Sequence, residues 1–262
     1  MVSARELPQC VIFLVNADQM LGLVTLANKE MDVVKKNCVT KKINLALFGI
    51  FLLGGLLLVP GVSGATRTNA VSLPPPQIAD GVSVMKALSE RKSSRNFAVS
   101  PISDEQLSKI LWAANGINRP DSEGHTTPSA MGVQSVHVYV VTDKGIFLYE
   151  PQSHSIRLQN KGDYRMTTTK GQSFVGKAPL TLVYVADSAA WGNAHRVLPA
   201  DQQTIFDSVA AGAMAQNVGL VAAAEGLGTC IRASIDHEVF AKAAHLLDSE
   251  RIIIAQTIGV LP

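Results

Sequence analysis

The sequence predicts an α+β domain, and three observations carry that prediction. Val136-His137-Val138-Tyr139-Val140-Val141 and Leu180-Thr181-Leu182-Val183-Tyr184-Val185 are rich in β-branched and apolar residues, as strands are. The second is almost continuously apolar, as expected of a central strand buried on both faces. Helical patterns fall between strand patterns without strict alternation, which argues against a doubly wound parallel sheet.

The elements follow in order. Lys35, Lys36, Lys41 and Lys42 precede a run over residues 45–59 that carries no charge, and Pro60, Gly61 and Ser63-Gly64-Ala65 close it. A basic segment, an apolar segment and small residues at −3 and −1 predict a secretory signal over residues 31–65, cleaved after Ala65. The protein is then exported, to the periplasm. The alternative is a membrane anchor formed by residues 45–59, although that run is 15 residues long and a span needs about 20. Met31 stands where such a signal would start, so residues 1–30 are expected to be a mis-called extension. Residues 66–80 contain Pro74-Pro75-Pro76 and predict an extended arm. Residues 81–262 then form one domain.

Within that domain residues 82–91 predict a helix. Ser103-Asp104-Glu105-Gln106 is a capping box, and Leu107, Ile110, Leu111 and Ala114 give the helix it opens an apolar face. Gly145-Ile146-Phe147-Leu148-Tyr149 and Ser155-Ile156-Arg157-Leu158 predict an antiparallel pair. Residues 204–225 predict the longest helix, with Ala210, Ala211, Gly212, Ala213, Ala215, Ala222, Ala223 and Ala224 along it. Small residues on all sides predict close packing on all sides, and hence a partner helix from a second copy, with Ala215 in the seam. Residues 236–247 predict a helix and 251–258 a last strand.

Six of the 23 Lys and Arg, and four of the 21 Asp and Glu, precede Thr66, which leaves 17 of each after it. A formally neutral domain gives no footprint for nucleic acid. Of three cysteines, Cys10 and Cys38 precede Ala65, so Cys230 has no internal disulfide partner once the signal is removed. His125, His137, His154, His195, His237 and His245 are scattered, and no pair has metal-ligand spacing. There is no Ser-His-Asp or paired-carboxylate constellation, so no catalytic acid, base or nucleophile is assigned.

Two stretches carry chemistry. Arg91-Lys92-Ser93-Ser94-Arg95-Asn96-Phe97 sets three cations and two hydroxyls in five residues, a donor set suited to phosphate. The alternative is a solvated helix end, where cations also favour the dipole. Glu225-Gly226-Leu227-Gly228 follows the long helix, and its glycines allow close backbone approach. It also suits a helix cap, and the two roles are compatible.

Further pieces lie between them: Leu111-Trp112-Ala113-Ala114-Asn115-Gly116, Thr127-Pro128-Ser129-Ala130, Gly171-Gln172-Ser173-Phe174-Val175-Gly176-Lys177-Ala178-Pro179 and Ala215-Gln216-Asn217-Val218. In this order, over residues 82–260, they resemble the FMN-dependent nitroreductase superfamily. The Trp-Ala-Ala-Asn-Gly and Pro-Ser-Ala pieces look closest to its thiazoline- and oxazoline-oxidising dehydrogenase branch. The resemblance implies a central, mostly antiparallel sheet flanked by helices, in a homodimer. It implies FMN as cofactor, with hydride arriving at and leaving from flavin N5 between a reduced donor, NAD(P)H among the candidates, and a small organic acceptor. Arg91, Ser93 and Arg95, with Lys92 beside them, align with phosphate and ribityl contacts. Pro128, Ser129 and Ala130 align with a loop that lies along the flavin of the partner subunit, with Gln134 at a position that is often polar. Glu225, Gly226, Leu227 and Gly228 align with the backbone beside the flavin edge. The resemblance also implies a cation shortly after the last strand. None follows Ile258-Gly259-Val260-Leu261-Pro262, so either FMN is held more weakly or Arg232 substitutes. Tyr164, Arg165, Trp191 and His195 are candidates for a substrate pocket or, alternatively, for surface loops. A flavin dehydrogenase or oxidase of an organic or peptide-derived substrate, and a flavin-binding protein without turnover, are the competing functions.

Overall fold

The structure is a computed structural model that describes residues 70–78, 81–196 and 198–262. The expectations for residues 1–30 and for the signal over 31–65 lie outside the described residues. The elements run β1 (Ala70–Ser72), α1 (Val84–Glu90), α2 (Asp104–Asn115), β2 (Ile117–Arg119), β3 (Gly124–His125), β4 (Val136–Val141), β5 (Gly145–Glu150), β6 (Ser155–Lys161), β7 (Leu180–Asp187), α3 (Ala200–Ala224), β8 (Leu227–Arg232), α4 (His237–Ala244) and β9 (Glu250–Val260). Seven strands form one sheet in the order β1-β6-β5-β4-β7-β9-β8, with β2 and β3 paired separately. Every neighbouring pair in the large sheet is antiparallel. This is the α+β architecture expected.

Two apolar layers cover the sheet. On one face Ile110, Leu111 and Ala114 of α2 and Ala211, Met214, Ala215 and Val218 of α3 pack on Val138, Val140, Leu182, Tyr184 and Ile258. On the other, Phe240 and Ala244 of α4 join Ile235 against Tyr139, Val141, Val183, Val185 and Ala255. Alternation along β4 and β7 sends successive side chains to opposite layers. That is why these strands read as continuous apolar runs. Burying each Leu or Ile of such a layer contributes roughly 1.5–3 kcal/mol.

Local signals set several boundaries. The capping box at α2 forms in both directions: Gln106 N–H donates to Ser103 Oγ at 3.2 Å, and Ser103 N–H to Gln106 Oε1 at 3.2 Å. Gly116 caps the helix, its N–H donating to Trp112 O at 2.7 Å, and glycine is needed there because a Cβ would sit 2.3 Å from the Trp112 ring. The long helix starts at Ala200 behind Pro199, earlier than its small-residue pattern begins.

Two expectations are corrected, and one strand is added. The stretch 66–80 is not only an arm: Ala70, Val71 and Ser72 pair with Arg157, Ile156 and Ser155 as an edge strand. Leu73 N–H then donates to His154 O (3.0 Å), and Ser108 Oγ–H to Pro74 O (2.6 Å). An open strand edge at β6 offers main-chain groups that composition alone does not reveal. The strand Leu227–Arg232 also has no clear sequence signal, because Gly228 and Cys230 dilute its pattern. Finally, the outward face of α3 is not the one expected. Ala215 is fully buried against the sheet, so it is not a seam residue. The outward face instead carries Ile205, Phe206 and Val209, which are 59%, 41% and 60% exposed.

Candidate functional site

The basic cluster begins where α1 stops. Arg91 N–H donates to Ala87 O at 2.9 Å, and the chain then runs extended along the sheet edge. Ser93 forms a parallel bridge with Thr229 of β8, Ser94 N–H donates to Thr229 O (2.8 Å), and Ala98 N–H donates to Val260 O (2.9 Å). Phe97 turns inward and is buried. Two glycines make room for it. A Cβ at Gly228 would lie 2.9 Å from Ser94 Cβ and 3.2 Å from the Phe97 ring, and one at Gly259 would lie 2.9 Å from that ring. The aromatic residue and the glycines thus fit the cluster closely to β8 and β9.

The second stretch arrives from α3. Glu225 caps the helix and pairs with Lys109 of α2 at 2.7 Å, so its carboxylate is engaged. Gly226 takes φ +68°, a left-handed conformation that favours glycine, and turns the chain into Leu227 and β8. Stretches about 130 residues apart in sequence therefore meet at one end of the sheet. Between them is a cavity of about 430 Å³, lined in part by Ser89, Lys92, Ser94, Gly219, Gly226, Leu227 and Thr229. Arg91 lays its stem along the wall, its Cγ and Cδ 3.7 Å from where a Gly219 Cβ would stand. Ser93 and Arg95 are exposed outside the lining, and Glu225 and Gly228 border the turn without lining it.

The third set stands apart. Gln134 N–H donates to Ser129 Oγ at 2.9 Å, closing a tight loop in which Met131, Gly132 and Gln134 all have left-handed φ. Such backbone in non-glycine residues is held only where its surroundings over-determine it. Pro128, Ser129 and Gln134 line a second cavity of about 410 Å³ with Arg119, Glu123 and His125, and Ala130 continues the same loop. The Gln134 Oε1 is buried without a hydrogen-bond partner. Asn217 of α3 ties the loop down by donating to Thr127 Oγ1 (3.1 Å) and to Ala113 O (3.2 Å). Within one protomer the two cavities share no lining residue.

Other candidates take structural roles. Arg232 is buried, donating to Thr257 Oγ1 and Thr168 O (each 2.8 Å) and to Thr168 Oγ1 (3.2 Å), so it is not free to replace a C-terminal cation. Burial without a carboxylate partner lowers its pKa to about 10, and it stays charged at neutral pH. Trp191 is buried and donates to Asp207 Oδ1 at 3.2 Å. Arg165 is tied to Asp163 and Ala178 O, and Tyr164 packs on the α4 layer. The side chain of His195 lies outside the described residues. Among the described residues no three His, Cys, Asp or Glu are grouped to hold a metal ion. Thr229, Ser89 and Gly219 were not legible as site residues. Thr229, beside Gly228, and Gly219, beside Val218, each adjoin a stretch with a signal.

A sequence model of the nitroreductase family matches residues 88–260. A candidate nitroreductase of Methanocaldococcus jannaschii is 32% identical over 163 residues, 58% of this chain and 79% of that protein. The crystal structure of a candidate nitroreductase from Ralstonia eutropha JMP134 superposes with TM-score 0.68 at 37% identity, covering 80% of this chain and 97% of that one. One from Anabaena variabilis shares the fold at TM-score 0.62 and 15% identity, over 74% of this chain and 42% of its own. The family match spans both stretches that meet at the cavity and the loop between them, and the chain belongs to the nitroreductase family of oxidoreductases.

Proposed function

We propose that this protein is an FMN-dependent oxidoreductase that passes two electrons between a reduced donor and a small organic acceptor. The observation that carries the reading is the cavity shared by the basic cluster and the Gly226-Leu227 turn. Its size suits a small-molecule site. Its donor set fits the group. A flavin mononucleotide phosphate bears about two negative charges, and Lys92, Ser94 and the adjacent Arg91 offer two cations and a hydroxyl to such an anion. Glu90 also lines the cavity, and its carboxylate is paired with Lys86 at 2.6 Å.

FMN, when bound, supplies the two-electron chemistry. The chain's own residues supply position and access. Lys92 and Arg91 would hold the phosphate, with Ser93 and Arg95 at its outer side. The Gly226 turn would bring main-chain groups against the ring system. Pro128, Ser129, Ala130 and Gln134 would close over it from a second subunit, where the unpartnered Gln134 Oε1 could accept a bond. The exposed Ile205, Phe206 and Val209 of α3 supply an apolar face for an isologous two-fold contact. The signal-like segment favours a second reading, a thiazoline- or oxazoline-type dehydrogenase outside the cytoplasm that hands electrons to oxygen or a quinone. Reduction of the purified flavoprotein by NADH and NADPH separates the two. Rapid bleaching of the flavin absorbance supports the reductase, bleaching only by a thiazoline or oxazoline substrate supports the dehydrogenase, and no bleaching by any of them supports a flavin-binding protein without turnover.

A further inference from the structure

Gln256 of β9 is fully buried between the sheet and α3, and its hydrogen bonds have forced directions. Its Nε2 donates to Ala215 O at 3.0 Å. A main-chain carbonyl only accepts, so that end of the amide is the nitrogen. Its Oε1 therefore accepts, and the buried Tyr184 hydroxyl donates to it at 2.7 Å. The second Nε2 proton goes to Thr229 Oγ1 at 2.9 Å. Because Oγ1 accepts that bond, its own proton must point elsewhere, and no acceptor among the described residues takes it. Thr229 is only 5% exposed, yet it lines the cavity that holds Lys92 and Ser94. Its main chain is pinned by Ser93 and Ser94. The network thus fixes the Thr229 oxygen and leaves its proton to donate, in a cavity that Lys92 also lines.

We propose that Thr229 is a ligand-binding residue whose hydroxyl donates to an oxygen of the bound flavin nucleotide, and that Gln256 and Tyr184 are its positioning residues. This rests on the FMN reading. Phosphate and sugar-alcohol oxygens share the required acceptor chemistry, so FMN and riboflavin serve as the two probes.

The test is titration of flavin-free protein by flavin fluorescence, well below each variant's melting temperature. Thr229→Val keeps the shape and removes the donor, and should weaken FMN binding about tenfold, whereas Thr229→Ser should stay within about threefold of the parent. A loss seen with FMN but not riboflavin assigns the phosphate as acceptor, and a loss with both assigns the sugar alcohol. In a Gln256→Leu background the hydroxyl is no longer oriented, so the further effect of Thr229→Val should shrink. A purely structural Thr229 would lower the melting temperature of Thr229→Val and leave affinity unchanged, and that result overturns the proposal. Parent protein that binds neither flavin overturns the FMN reading and this inference with it. Parent protein that binds FMN while Thr229→Val binds as tightly overturns this inference alone.

Discussion

Gly228 has space for a hydrogen and little else. A Cβ would meet Leu261 at 2.6 Å and Ser94 at 2.9 Å, and both flank the cavity that Lys92 lines. Gly228→Ala should therefore push the cluster off β8, costing about 1–3 kcal/mol in stability by the usual scale of overpacking. Chemical denaturation measures the cost, and an unchanged midpoint would show that the cluster is loosely held. Arg91 was legible as part of a phosphate-binding pattern. The structure adds that its stem passes over Gly219, 3.7 Å from where a Cβ would stand, a proximity invisible in sequence because the two are remote. Arg91→Ala should weaken FMN binding roughly 10- to 100-fold, as expected for loss of a charge-assisted bond. Affinity equal to the parent's in a fluorescence titration would return the cluster to a solvated helix end. Burial holds the imidazoles of His125 and His154 below their ordinary range. His154 sits between Tyr149 and Ser108, at 2.9 and 2.8 Å. The unfolded chain takes up protons on these histidines first, so their contribution is complete above about pH 6.5 and is lost as pH falls below it. Melting temperature should drop between pH 7 and pH 5, and His154→Gln should make that drop shallower. A slope unchanged by the substitution would remove His154 from the account.

Elements with self-contained chemistry were the legible ones. The Ser103–Gln106 box placed the start of α2, and β-branched content placed β4 from Val136 to Val141, matching the observed strand. β1 and β8 were not legible because a sheet edge recruits them, through main-chain pairing that any sequence can make. The site was half legible for the same reason. The cations and glycines announce themselves, whereas Thr229 gains its role from Gln256, whose amide reaches it only across the fold. The small-residue pattern marks the long helix as unusually apolar but does not reveal that its outer face is Ile205, Phe206 and Val209. A helix with buried Ala210, Ala211 and Ala215 on one side and exposed Ile205, Phe206 and Val209 on the other needs cover only on the second. Val209→Glu should accordingly convert a dimer to monomer while the fold survives, since the residue is 60% exposed in the protomer. Light scattering of the variant and its parent checks this. A parent already monomeric, or a variant still dimeric, would refute the seam.

At the scale of the molecule, one sheet serves three purposes. Its centre is sealed on both faces by α2, α3 and α4. The β8–β9 end carries the basic cluster, and the loop ahead of β4 carries the Pro128-Ser129 cavity. The two cavities share no lining residue, and on the proposed reading a second copy brings its loop to the first copy's cluster. Flavin binding and dimerisation should then fail together: Val209→Glu should lose cofactor along with its partner. The central claim is that the cluster and the glycine turn hold FMN. Cofactor released by heat from the purified protein, separated by chromatography and quantified against its absorbance spectrum, tests that claim most directly. The account predicts FMN at one per subunit. Release of FAD, or no flavin even after reconstitution with FMN, would contradict it.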